Sequence, residues 1–363
     1  MNRKTRNGNV ELLRFLFCIS IVLFHAWVDL RGYIGVEFFF IVTGFFLAKK
    51  VDRQRKTEEN PPCMEQLLKD SWKEILHRYR AIFPYLLVST ILGLVVNSYA
   101  LQWDVQNHIL FCFKLLPYDF LLLQNYGIQA PSMVGVIWYL TAMMLAVWLI
   151  YPLMRRAYEI FMYVAPFVSV FLMGIIIVNC GTLDSPNTFL FGWANTGFMR
   201  AISAITVGAF VYYLSGKTKK IQVGEIGMIV LTLFELAGYA WVADFIFARK
   251  EENVYYDVMA VLVIAVSFLI TMSQKTLLWG KFDNAVCIFL GKITVPIFLC
   301  HFYCVQRMPD ILARLNIEMP QMQMTLISLG MVAITAGIVY IVGNWIDRGI
   351  KNISIALMKR AVE

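Results

Sequence analysis

Apolar runs of about 20 residues, the length that crosses a bilayer, recur along the whole chain and are separated by short polar segments. They predict ten candidate membrane spans, at residues 9–28, 33–50, 82–100, 134–154, 160–180, 197–215, 224–246, 255–273, 285–306 and 322–346. One connection, 101–133, is long and semi-polar, with Trp103, Lys114, Pro117 and Tyr118. It predicts a short helix that either lies along the surface or folds back into the bundle. The fold class expected is all-α, a polytopic transmembrane helix bundle of about ten spans.

Polar residues that interrupt these runs stand out. The first run, Asn9 to Trp27, carries Arg14 and His25. Eleven residues at roughly 100° each return to within about 20° of the starting direction, so both side chains share one helix face about 16 Å apart. A charge near the bilayer centre costs a few kcal/mol or more and normally faces protein or a wet cavity. Each residue also has a plainer reading. Arg14 can snorkel to the headgroups, and His25 can hydrogen-bond a neighbouring helix.

Composition agrees with this pattern and adds an orientation. Apolar residues make up 59% of the chain, charged residues 15%, and the mean hydropathy is +0.65. A net charge of +8 could suggest nucleic acid. In a membrane chain it is the placement of Lys and Arg that matters, and most of the 32 fall in the N-terminal tail, 49–80, 155–156, 217–220, 275–281 and after residue 346. That side is expected to be the cytoplasm, with both termini inside and no nucleic-acid partner. The seven cysteines lack zinc-like spacing and read as small buried hydrophobes. Metal spacing, a glycine-rich phosphate loop and a nucleotide fold are all missing from the motifs, so no metal is expected. The first run lacks a small-residue cleavage site and reads as a retained helix.

Alternating orientation gives each polar residue an expected depth. His25, Glu37, Arg200 and His301 fall in the outer half, with Trp138 and Tyr139 entering from outside, while Arg14 and Lys292 lie toward the inner side. Glu37 has two readings: it orients an imidazole, or it pairs with Arg200 or Arg31 at the outer rim. Lys292 either contacts a ligand from the inner side or snorkels. His77 and His108 read as solvated.

Five segments, in order, resemble the integral-membrane acyltransferase family 3. They are Arg14 and His25 in the first helix; GVEFFFIVTGFFL from Gly35 to Leu47; HRYRAIFPY with Arg78, Arg80 and Pro84; WYLTAMMLAVWLIYP from Trp138 to Pro152; and GKITVPIFLCHF from Gly291 to Phe302. Two departures are visible. Thr43 stands where the motif usually has serine, and Met143-Met144 occupy the region where many relatives carry a glutamate. Some relatives also have an extracytoplasmic hydrolase-like domain, whereas residues 1–363 read as a single integral-membrane acyltransferase domain with no separate soluble domain.

The resemblance implies an O-acyltransferase that moves an acyl group, most often acetyl, from cytoplasmic acyl-CoA to a hydroxyl of a cell-surface or lipid-linked glycan. Acetyl-CoA or another acyl-CoA would be a co-substrate, with no permanently bound cofactor. His25 is then the expected general base, Arg14 the donor-side cation and Glu37 the residue that orients the imidazole. Arg78 and Arg80 would meet the CoA phosphates or anionic lipid. His301, Arg200, Trp138 and Tyr139 are acceptor-side candidates, the aromatics having interface anchoring as their plainer role. The implied setting is a multi-pass protein of a bacterial plasma membrane, in contact with lipids and with a separate extracytoplasmic transferase or glycan-assembly proteins. A transporter or flippase is the competing class. It predicts internal symmetry with paired broken helices, and no convincing repeat is visible.

Overall fold

A computed structural model describes residues 6–26, 30–58, 62–103, 110–123, 132–248 and 256–360. Within them lie twelve α-helices: α1 Gly8–His25, α2 Gly35–Arg55, α3 Met64–Ala100, α4 Leu110–Phe120, α5 Ile137–Arg156, α6 Tyr158–Cys180, α7 Thr196–Thr218, α8 Glu225–Phe247, α9 Tyr256–Ser273, α10 Ala285–Gln306, α11 Met308–Arg314 and α12 Gln321–Arg360. A 3₁₀ turn, Gly32–Ile34, precedes α2, and two short antiparallel strands, β1 Phe189–Leu190 and β2 Ala194–Asn195, form a hairpin before α7. The protein is thus an all-α, multi-pass membrane bundle. Among the described residues nine helices are long and apolar enough to cross a membrane, and they match the predicted spans except the second. That one, α2, is apolar only as far as Ala48, after which come Lys49, Lys50, Asp52, Arg53 and Arg55.

Two helices run past the predicted spans. Helix α3 starts at Met64, not near 82, because the basic segment is itself helical. Glu65 with Lys69 (2.5 Å) and Asp70 with Lys73 (3.1 Å) pair at helical spacing there, which adds a few tenths of a kcal/mol each. Helix α12 likewise runs beyond 346 to Arg360. The long connection contains α4, and its end folds back: the Tyr79 hydroxyl donates to the Phe120 carbonyl (2.7 Å), and Phe83 packs on Phe120. Phe83 lies seventeen residues before the end of α3, roughly 25 Å along its axis.

The chain divides into two compact units, residues 1–24, 28–75 and 138–292 in the first and 25–27, 76–137 and 293–363 in the second. In the first unit α2 packs closely along α7. Glycines set that distance: a Cβ on Gly44 would stand 2.0 Å from the Ile205 carbonyl oxygen, and one on Gly208 would stand 1.9 Å from that of Ile41. Contacts between Glu37 and Arg200 near the helix starts, and between Asp52 and Tyr212 near the ends, show that the two run parallel. Parallel is what alternating spans two and six require. In the second unit α3 packs on α10 and α12. The Ser89 hydroxyl donates to the Leu299 carbonyl (2.9 Å), and the Tyr85 hydroxyl donates to Asn344 Oδ1 (3.1 Å) beside Gly343.

Candidate active site

His25 is the last residue of α1, and its imidazole lies 5.3 Å from that of His301 on α10, centroid to centroid. Phe302 closes a third side, edge-on to His25 at 5.2 Å. The backbone here is held by polar neighbours, since Gln306 Nε2 donates to the His25 carbonyl (3.3 Å) and the Thr325 hydroxyl to that of Ala26 (3.2 Å). His301 is wholly buried, and its Nδ1 lies 2.8 Å from the Phe298 carbonyl oxygen. A carbonyl only accepts, so Nδ1 carries the proton and Nε2 of the neutral ring presents a lone pair. No described residue donates to that Nε2. The second unit therefore holds two imidazoles side by side, one with its tautomer set by the backbone.

The first unit holds a different pair. Arg200 Nε donates to Glu37 Oε1 at 2.6 Å, both side chains being essentially inaccessible, and the guanidinium lies 5.3 Å from the Trp138 ring centroid. Of the two readings for Glu37, the one seen is the pair with Arg200. The start of α7 is positioned by capping: the Asn195 side chain accepts from the Phe198 N–H (3.0 Å), and the Gly197 N–H donates to the Pro186 carbonyl (3.0 Å). Gly197 also leaves room for Trp138, whose ring a Cβ there would meet at 3.1 Å. Glu37 Oε2 and Arg200 Nη2 have no partner among the described residues, so each ion keeps one hydrogen-bonding position unused.

Arg14 is half-buried on α1 and pairs with Glu11 at 3.3 Å, one turn earlier. Glu11 fills the space over Gly291, where a Cβ would lie 1.8 Å from Oε2. The glycine that opens the GKITVPIFLCHF segment thus admits the carboxylate that holds Arg14. Arg78 is partly exposed and Arg80 exposed on α3, in the second unit, as is His77. His108 lies outside the described residues. Tyr139 is buried against Phe40 (4.7 Å) and Phe39 (6.3 Å). At the departure from the family pattern, the Met143 sulfur accepts from the hydroxyls of Thr43 (3.7 Å) and Tyr139 (3.8 Å), so a weak soft acceptor gathers both.

Glu11, Asp257 and Asp119 were not picked out from the sequence. Asp257, buried at the start of α9, accepts from the Tyr33 hydroxyl (2.7 Å), the Thr182 hydroxyl (3.0 Å) and the Leu183 N–H (2.8 Å). It ties the turn before α2 to the loop after α6. Asp119, on α4, accepts from the Met133 N–H (2.9 Å), and burial pushes its carboxyl up to about 6 against the lowering effect of its donors. Glu11 had a signal, its i,i+3 spacing from Arg14; the partners of Asp257 and Asp119 come from distant segments. Among the described residues no cluster of three His, Cys, Asp or Glu side chains is arranged to hold a metal.

A family model described as an acyltransferase domain, that of acyltransferase family 3, matches residues 7–343. No curated protein and no solved structure matches the chain. The match runs from before α1 into α12 and so takes in both histidines, the Glu37–Arg200 pair and Arg14. On that ground, and with nine apolar helices of membrane-crossing length among the described residues, the chain is a membrane acyltransferase belonging to acyltransferase family 3.

Proposed function

We propose that this acyltransferase transfers an acyl group, acetyl in the first instance, from cytoplasmic acyl-CoA to a hydroxyl of a cell-surface or lipid-linked glycan in a bacterial plasma membrane. The observation that carries the reading is the His25–His301 pair. His25 takes the proton of the acceptor hydroxyl as its oxygen attacks the thioester carbonyl; the C–S bond then breaks, and the proton passes to the departing CoA sulfur. His301, with Nδ1 committed to the Phe298 carbonyl, turns a lone pair to its surroundings and favours positive charge developing on the neighbouring imidazole.

On the donor side Arg14 keeps N–H groups beyond the one engaged by Glu11, and these suit the thioester carbonyl or a pantetheine amide. Arg78 and Arg80, accessible on α3, offer forks for the CoA phosphates. Trp138, Tyr139 and Arg200 serve the acceptor side, with the Glu37–Arg200 pair offering an unused acceptor and an unused donor to a hydroxyl. The Lys and Arg distribution supports both termini in the cytoplasm. A separate extracytoplasmic transferase or glycan-assembly proteins would be the partners. The test is ester-linked acyl content of surface polysaccharide in cells with the gene, without it, and with His25→Ala at equal protein level. Loss in both altered strains supports the reading, and wild-type ester content in either one refutes it.

A further inference from the structure

We infer that Asp119 is a positioning residue for acyl transfer, holding the loop 132–135 that sets the angle of the His25 imidazole through Phe302; this rests on the role given to His25 above. Every step of the connection lies within the second unit. Asp119 is buried at the end of α4, where Oδ2 accepts the Met133 N–H at 2.9 Å. Ser132 Oγ in turn accepts from the N–H groups of Val134 (3.1 Å) and Gly135 (3.0 Å). These three hydrogen bonds fix a turn that has no regular secondary structure to hold it.

The turn ends in Gly135 at φ +81°, a left-handed conformation that side chains disfavour. Its Cα sits so close to Phe302 that a Cβ would lie 2.1 Å from ring atom Cδ1. Phe302 therefore has no freedom to swing toward the turn, and it meets the His25 ring edge-on at 5.2 Å. A second face of the same turn is fixed independently. The Met133 carbonyl lies over Gly93 of α3 and accepts from Asn97 Nδ2 (3.4 Å), while Asn97 Oδ1 accepts from Arg307 Nε (2.7 Å). Clamped on that side, the turn transmits a shift at Asp119 to Phe302. A misplacement of about 1 Å at a catalytic group costs on the order of 100-fold in rate.

The experiment uses the full chain in membranes of producing cells, with acetyl-CoA carrying a labelled acetyl group, and follows incorporation against acetyl-CoA concentration. Asp119→Ala is expected to lower kcat about 10- to 100-fold and leave KM for acetyl-CoA within about twofold. Asp119→Asn keeps an acceptor for the Met133 N–H and is expected to stay within about threefold of wild type. Phe302→Leu cuts the connection, so adding Asp119→Ala to it should cost less than about threefold more. Losses that multiply in the double variant, or equal losses in the Ala and Asn variants, overturn the inference. Gly135→Ala covers the case in which Asp119→Ala fails to accumulate: it pushes on Phe302 with Asp119 intact and should lower kcat similarly, and wild-type kcat there also overturns it. His25→Ala, measured alongside, separates the two claims. Full activity in it defeats the functional reading, whereas loss in it with normal kcat in Asp119→Ala defeats the positioning role alone.

Discussion

Two polar pairs, Glu37 with Arg200 in one unit and His25 with the buried His301 in the other, use their chemistry in opposite ways. The ion pair brings two formal charges out of water, and its 2.6 Å charge-assisted hydrogen bond offsets part of a cost that amounts to several kcal/mol per ion. Neither member can lose its partner cheaply. The imidazoles instead lie side by side as rings, 5.3 Å between centroids. What they retain is a lone pair at His301 Nε2 that no described residue engages. Residues that hold each other's charge fix how α2 meets α7, whereas residues that leave a basic nitrogen unspent are suited to moving a proton.

The largest effect that can break this contrast is catalytic. His25→Ala should reduce labelled acetyl incorporation about 100-fold or more, with the melting temperature of the detergent-purified protein nearly unchanged. A large drop in melting temperature would show that the imidazole pair is structural after all. Next come Glu37→Ala and Arg200→Ala, each expected to destabilise by about 3–5 kcal/mol because an unpaired charge stays buried. The double change Glu37→Leu with Arg200→Met should recover much of that loss in a denaturation assay, and failure to recover would show that the loss in the single variants does not come from an unpaired buried charge.

Smaller effects probe the scaffold around the ion pair. Gly44→Ala drives a Cβ against backbone at 2.0 Å and is expected to cost about 1–3 kcal/mol or more, while Gly174→Ala, with no atom within 4 Å of its Cβ, should be neutral or slightly stabilising in the same helix-melting measurement. The smallest effect belongs to the other unit. The Asp119 carboxyl is held up to about 6, above its value in an unfolded chain. The folded state thus binds that proton more tightly, and the stabilisation, complete below pH about 4, is lost as pH rises through about 6. Melting temperature should fall across that window in the wild type. Asp119→Asn should flatten this part of the profile, and an unchanged slope would place the titration elsewhere.

The sequence made some of this legible and hid the rest for physical reasons. Apolar run length located the spans because the bilayer imposes one length on all of them. The same criterion is silent on the polar first half of α3, where helical spacing of charges at i,i+3 and i,i+4 is a periodic signal that hydropathy does not weigh. Arg14 and His25 were visible as polar residues in an apolar run. Glu37 was visible too, yet its partner was one of several cations at a similar expected depth. Asp119 carries no signal in the sequence, because an acidic residue in a semi-polar connection is ordinary until its burial is known.

What the sequence by itself determined is the all-α membrane architecture, the parallel course of α2 and α7 implied by alternating spans, and membership of acyltransferase family 3, which its ordered motifs announce. Only the tertiary structure decided that Glu37 holds Arg200, that His301 stands beside His25, and that Gly135 presses on Phe302. Span positions follow from how each segment partitions between water and lipid, a property local to that segment. Pairings depend on helix rotation and on close approach at glycines, which are properties of two surfaces at once.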